Sequence, residues 1–149
     1  GDPSYSDPDW SPVTEQIVAT SRVFLNPGRS VWRIVVLNLD GTSTTLLAAA
    51  DGTEYSNPHW SPDGTQIVFR SGSGTQMRIF VMSYDGSNLR SLTDMENAAA
   101  VWSPDGIRVI FDNIFHKQHY LYFVDPYNGE FSHTPFASIS DPPLLCWLP

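Results

Sequence analysis

Two pairs of polar side chains stand at matched positions ahead of two tryptophans: Asp7 and Asp9 before Trp10, Asn57 and His59 before Trp60. Carboxylates, an amide and an imidazole around one opening would bind a cationic or hydroxyl-rich group, because polar ligands are held by a few convergent polar groups. The third matching point, ahead of Trp102, offers only Ala99 and Val101. A plainer use exists for two of the four. Asp7 and Asn57 precede prolines, where Asp and Asn readily bond nearby backbone as turn residues. On an exposed rim, replacing Asp9 and His59 by Ala would cost under about 0.5 kcal/mol each.

Signatures of familiar catalysts are missing. The chain has no Gly-x-Ser-x-Gly elbow, no His-Glu-x-x-His, no phosphate-binding glycine loop and no EF-hand loop. Ser71-Gly-Ser-Gly74 has the composition of a flexible hairpin loop. His116 and His119 could share a metal, but zinc sites need three or four protein ligands, and a solvated loop accounts for the pair. The lone Cys146 excludes an internal disulfide and a cysteine metal cluster. The expectation is a protein that is not an enzyme and uses no cofactor and no metal.

Charge narrows the partners further. Eight basic against 16 acidic residues give a net charge of −8, which repels nucleic-acid phosphates and anionic membrane surfaces. No apolar run approaches the roughly 20 residues that span a bilayer, so membrane insertion is not expected. The segment from Gly1 to Trp10 has neither the basic nor the apolar region of a signal peptide.

The elements that must position these residues come from an internal repeat. Tyr5-Ser-Asp-Pro-Asp-Trp-Ser-Pro12 recurs as Tyr55-Ser-Asn-Pro-His-Trp-Ser-Pro62, and Val101-Trp-Ser-Pro-Asp-Gly106 is a third copy. Each copy continues with a β-branched run: Gln16–Thr20, Gln66–Arg70 and Arg108–Asp112. A second run follows at Trp32–Leu37, Met77–Met82 and Tyr120–Val124. The dipeptides Asp40-Gly41, Asp85-Gly86 and Asn128-Gly129 then mark tight hairpins that accept positive φ, and short final strands such as Thr44–Leu47 and Leu89–Leu92 complete the copies. The first copy is about five residues longer, which suits an inserted loop from Phe24 to Ser30.

Four strands per copy predict an all-β chain of three four-stranded β-propeller blades, at about 5–50, 55–94 and 97–136, with a tail from 137 to 149. A β-sandwich also uses short alternating strands, but it has no reason to repeat one octapeptide before every fourth strand. The signature residues have structural work. Pro62-Asp63-Gly64 and Pro104-Asp105-Gly106 preset a turn between the first and second strands. Pro12-Val13-Thr14 should turn more loosely, because neither Val nor Thr tolerates positive φ well. Trp10, Trp60 and Trp102, each able to bury some 150 to 250 Å², are expected to be spacers between blades.

With these residues in view, the chain resembles the TolB-type propeller repeat, Pro-x-Trp-Ser-Pro-Asp-Gly followed by an Ile-x-Phe strand, an Ile-x-Val strand and Asp-Gly. The second copy matches almost throughout, the third lacks the leading proline, and the first lacks Asp-Gly after Ser-Pro. The resemblance implies a propeller, commonly six-bladed, in periplasmic or secreted proteins that act as protein-binding platforms or as accessory domains of peptidases. No catalytic residues travel with the repeat.

Three blades are too few to close a ring of four to eight. Either two chains close a six-bladed homodimer about a two-fold axis, or the chain is a fragment of a longer propeller. Asp141-Pro-Pro-Leu-Leu-Cys-Trp-Leu-Pro149 holds a further Trp-x-Pro at Trp147 that resembles the start of a fourth repeat. The function expected is a noncatalytic binding or assembly module presenting a channel mouth to a protein or a small polar ligand. An accessory propeller of a larger hydrolase or peptidase is the alternative.

Overall fold

A computed structural model describes residues 2–26, 28–50, 52–94, 99–115 and 118–133, and every statement of absence below concerns these residues. They form three four-stranded antiparallel sheets. The first holds β1 (Ser4–Trp10), β2 (Gln16–Asn26), β3 (Arg29–Asn38) and β4 (Ser43–Ala48). The second holds β5 (Glu54–Trp60), β6 (Gln66–Ser73), β7 (Gln76–Ser83) and β8 (Arg90–Ser91). The third holds β9 (Ala100–Trp102), β10 (Val109–Phe115), β11 (Gln118–Val124) and β12 (Phe131–His133). Strand order within each sheet is the order along the chain, as successive tight hairpins require. The fold is all-β and of propeller type, and no described helix is long and apolar enough to cross a membrane.

Turn chemistry explains the spacing of the strands. Gly64 (φ +69°) and Gly106 (φ +71°) take the left-handed conformation that side chains avoid. Each closes its turn by donating its N–H to a serine carbonyl, Ser61 at 2.8 Å and Ser103 at 2.9 Å. Asp63 accepts from the Ser61 hydroxyl (2.6 Å) and the Thr65 amide (3.0 Å). Asp105 does the same with Ser103 (2.5 Å) and Ile107 (3.0 Å). The first copy has no such glycine: Val13 and Thr14 keep negative φ, and the Ser11 hydroxyl accepts from the Thr14 amide instead, at 3.2 Å. Within the Asp40-Gly41 and Asp85-Gly86 dipeptides of the next hairpins, only the glycine takes positive φ. The aspartates stay in the ordinary region and cap the turn, each accepting an amide two residues on at 2.9 Å.

The apolar cores lie between the sheets. One is built from Val18, Ile34 and Val36 of the first blade and Tyr55, Trp60, Ile67, Phe69 and Met82 of the second. The other joins Val68, Ile79, Val81 and Leu92 of the second blade to Trp102, Val109, Phe111 and Val124 of the third. Trp60 and Trp102 thus each reach the blade before their own and are 7% and 6% exposed. Trp10 has no described blade before it and is 53% exposed, so within this chain it does not act as the spacer expected of it.

The extra residues of the first copy do not form a loop. β2 and β3 stay paired to Asn26 opposite Arg29, so the insertion lengthens the hairpin. β6 and β7 end at Ser73 opposite Gln76. Val23, Phe24, Val31 and Trp32 favour pairing over looping. Ser71-Gly-Ser-Gly74 likewise stays in β6 up to Ser73, and only Gly74 (φ +57°) enters the turn. His119 lies in β11 opposite Ile114, not in a loop. His116 and the segment containing Trp147 fall outside the described residues.

Candidate functional site

The first strand of each blade lies beside that of the next, with β1 against β5 and β5 against β9. On β1 the pairing with β2 slips between Ser6 and Asp9, and on β5 the pairing with β6 slips between Ser56 and His59. The extra residue is the one before proline, since Asp7 (φ +51°) and Asn57 (φ +50°) are in the left-handed region. Asp and Asn are the side-chain residues that enter it most readily, and the following proline has no N–H to lose from the ladder. The bulge turns both side chains out of the pleat.

This placement gives Asp7 and Asp9 a task that their positions in sequence do not show. The Asp7 carboxylate accepts the backbone N–H of Asn57 at 3.2 Å, and the Asp9 carboxylate accepts that of Trp60 at 2.8 Å. Both bonds cross from the first blade to the second. Asp7 therefore bonds backbone 50 residues away and not its own turn. Asp9 is not a free rim residue either, because its loss would leave a half-buried amide without its acceptor. The other oxygen of Asp9 stands 3.6 Å from Nδ1 of His59, and both side chains keep about a third of their surface in solvent.

At the third copy the chemistry changes. The Ala99 amide is bonded within its own blade by the Asp112 carboxylate at 2.8 Å, and the Trp102 indole donates to the His59 carbonyl at 3.2 Å. Asp112 and Arg70 are the functional candidates that composition and spacing did not bring forward. Arg70 sits on β6 opposite Ser56 and feels the carboxylates of both Asp112 and Asp7. Burial lowers its pKa, and the two carboxylates oppose that shift. The sequence signal is positional: Thr20, Arg70 and Asp112 all close a second-strand run of the form x-Ile/Val-Val/Ile-x-polar, where a central strand would otherwise stay apolar. Thr20 and Asp112 are buried, and the Thr20 and Ser56 hydroxyls have no hydrogen-bond partner among the described residues.

The site is thus a band of polar groups on and beside the three first strands: Asp9 and His59 partly open to solvent, Asp112 buried against the Ala99 amide, and Arg70 under the influence of Asp7 and Asp112. It can accept hydrogen bonds from hydroxyls or cationic N–H groups through Asp9, and donate or accept one at His59. No group of three or more His, Cys, Asp or Glu side chains among the described residues could hold a metal ion.

A chain of repeated four-stranded sheets with Trp-Ser-Pro turns and interblade tryptophans is a β-propeller. The TolB beta propeller domain family matches residues 3–133, and the chain belongs to that family. Its fold is similar to that of TolB from Acinetobacter baumannii, with 22% identity, a TM-score of 0.69, and coverage of 87% of this chain and 32% of that one. An oligogalacturonate lyase in complex with manganese shares the fold at 18% identity and a TM-score of 0.71, covering 87% of this chain and 40% of the other. The acylaminoacyl peptidase of Pyrococcus horikoshii does so at 18% identity and a TM-score of 0.65, covering 87% and 24%. This chain spans less than half the length of each of these three.

Proposed function

We propose that the chain is a noncatalytic propeller module that offers the partly open Asp9–His59 pair, at the inner strands, to a protein or a small polar ligand. The observation that carries the reading is the 3.6 Å approach of these two side chains from different blades. An acceptor and an imidazole fixed by separate sheets are pre-organised, which lowers the ordering cost of binding. Asp7 and Asn57 belong to the support of this site, because they set the bulges that aim it. The proposal extends to the assembly: two chains close a six-bladed homodimer, each Trp10 entering the last blade of the other as Trp60 and Trp102 enter their neighbours. A periplasmic or secreted location follows the family resemblance.

A titration of the His59 imidazole signals by NMR, with a panel of polyols, oligosaccharides and cationic peptides, tests the site. Binding should shift those signals, and calorimetric titration of the same ligand should show affinity about tenfold weaker in His59→Ala with the fold intact. Full affinity in that variant would remove the site. Light scattering tests the assembly, which should weigh about twice 16.6 kDa.

A second reading has its own support. The acylaminoacyl peptidase shares the propeller fold and is about four times as long as the stretch it has in common with this chain. On that reading the blades are an accessory part of a larger hydrolase or peptidase. The coding sequence on both sides of this segment distinguishes the two, since only the second requires a hydrolase domain there.

A further inference from the structure

The lengthened hairpin of the first blade overhangs the start of the second, and the overhang is cationic and aromatic instead of apolar. Arg22, Phe24 and Trp32 share the face that carries Val18, Ile34 and Val36 toward the second blade. The Arg22 guanidinium lies 4.7 Å from the Phe24 ring centre and 4.9 Å from that of Trp32, and its Nε donates to the Ser30 hydroxyl at 2.9 Å. An open cleft of about 300 Å³ lies here, lined by Arg22, Arg29, Ser30, Trp32, Thr53 and Glu54 together with two glycines. The second blade has Gly72 where the first has Arg22, so it offers no equivalent guanidinium there.

The geometry points to a binding site for a carboxylate group in this cleft, held by Arg22 with Arg29 beside it. A guanidinium stacked on aromatic faces keeps its N–H donors in its own plane, where the rings do not cover them. Contacts with Phe24, Trp32 and Ser30 fix its orientation before any ligand arrives, and a planar fork matches the two oxygens of a carboxylate. Two of the eight basic residues of a chain with net charge −8 meet at this one place. Glu54, the only acidic residue among the described lining residues, disfavours multiply charged anions such as phosphate and so favours a single carboxylate. The volume suits a small acid or the C-terminal residue of a peptide, which present the same group.

Propionate, propionamide and inorganic phosphate, titrated at constant ionic strength against the 15N-labelled chain, test this through the side-chain N–H signals of Arg22 and Trp32. Propionate should shift both signals saturably, phosphate more weakly, and propionamide not at all. Arg22→Lys keeps the charge but loses the stacked fork, and should weaken propionate binding at least tenfold. Should that variant disturb the hairpin, Arg29→Gln, at an exposed position, should still weaken binding about threefold. A tetrapeptide with a free C-terminus, set against its amidated form, separates the two sources of the carboxylate, and binding of either source upholds the site. His59→Ala should leave propionate binding unchanged, which keeps this site distinct from the Asp9–His59 pair. The absence of a saturable shift with both propionate and the free-acid peptide would overturn the proposal. So would equal shifts from propionamide, or unchanged affinity in both arginine variants.

Discussion

At the joint between the first two blades, Asp7 and Asp9 reach across to backbone amides of the second, while the indole N–H of Trp60 is buried with no hydrogen-bond partner. At the joint between the second and third, the corresponding side chains are Asn57 and His59. There the indole of Trp102 makes the polar crossing, to the His59 carbonyl. Both joints bury a tryptophan in an apolar core of similar make-up. Repetition of the sequence therefore repeats the apolar part of the joint, whereas the polar part is set joint by joint. Charged acceptors make stronger hydrogen bonds than neutral ones, so the first joint ties its inner strands through carboxylates, whereas at the second the carboxylate of Asp112 acts on Arg70 from the next blade.

The largest test of this comparison removes the part that the joints share. Trp60→Ala and Trp102→Ala should each destabilise the chain by about 3 to 5 kcal/mol in chemical denaturation, as large core truncations do. Trp10→Ala should cost under about 1 kcal/mol in a dilute monomer, because an exposed indole has little burial to lose. A Trp10 cost that rises with protein concentration would instead mark this face as covered by a second copy.

The turns at the edge of the joints should differ next. A Cβ on Gly64 would collide with the Val13 side chain of the first blade, whereas one on Gly106 would meet Pro62 at an ordinary 3.6 Å. Both residues have positive φ, so each alanine should cost roughly 1 to 2 kcal/mol for the left-handed backbone. Gly64→Ala should exceed Gly106→Ala, and equal melting shifts would show that Val13 moves aside freely.

The carboxylate tie is tested by Asp9→Ala, which should cost about 1 to 2 kcal/mol, since it removes a charge-assisted bond to the Trp60 amide at a partly exposed site. His59→Ala, which removes no bond of that kind, should stay within about 0.5 kcal/mol. Similar costs for the two would mean that the polar ties of the joints are equivalent.

The smallest effect concerns pH. Hydrogen bonds from the Ser61 hydroxyl and the Thr65 amide hold the Asp63 carboxyl below its ordinary pKa. Those from Ser103 and Ile107 do the same for Asp105. A depressed carboxyl stabilises the fold above its unfolded pKa of about 4 and loses that contribution as pH falls through the lower folded value. Stability should therefore hold from neutral pH down to about 5 and decline below about 4. Asp63→Asn and Asp105→Asn should each flatten that decline. The first blade has Val13 at this point of its turn, so Val13→Asn should leave it unchanged.

Much of this molecule was legible before any coordinates. Three Trp-Ser-Pro copies, alternating β-branched runs and Asp-Gly or Asn-Gly turns are local features. Strand period, turn residue and repeat length act over a few neighbours, so they specify three four-stranded sheets in chain order. Even the loosened turn at Val13 and Thr14 follows from one residue's aversion to positive φ. The lengthened hairpin reads as a loop in sequence because residues 23–32 pair across a turn that no Asn-Gly or Asp-Gly announces. The partners of Asp7 and Asp9 could not be read at all: their acceptors face amides 50 and 51 residues away, brought close only when two sheets pack. Arg70 between Asp7 and Asp112, and Arg22 between Phe24 and Trp32, are set in the same way, by which strand lies opposite and which blade lies next. Local chemistry decided what each blade is. Packing between blades decided which polar groups meet, because a side chain's partners across a joint depend on the relative placement of whole sheets.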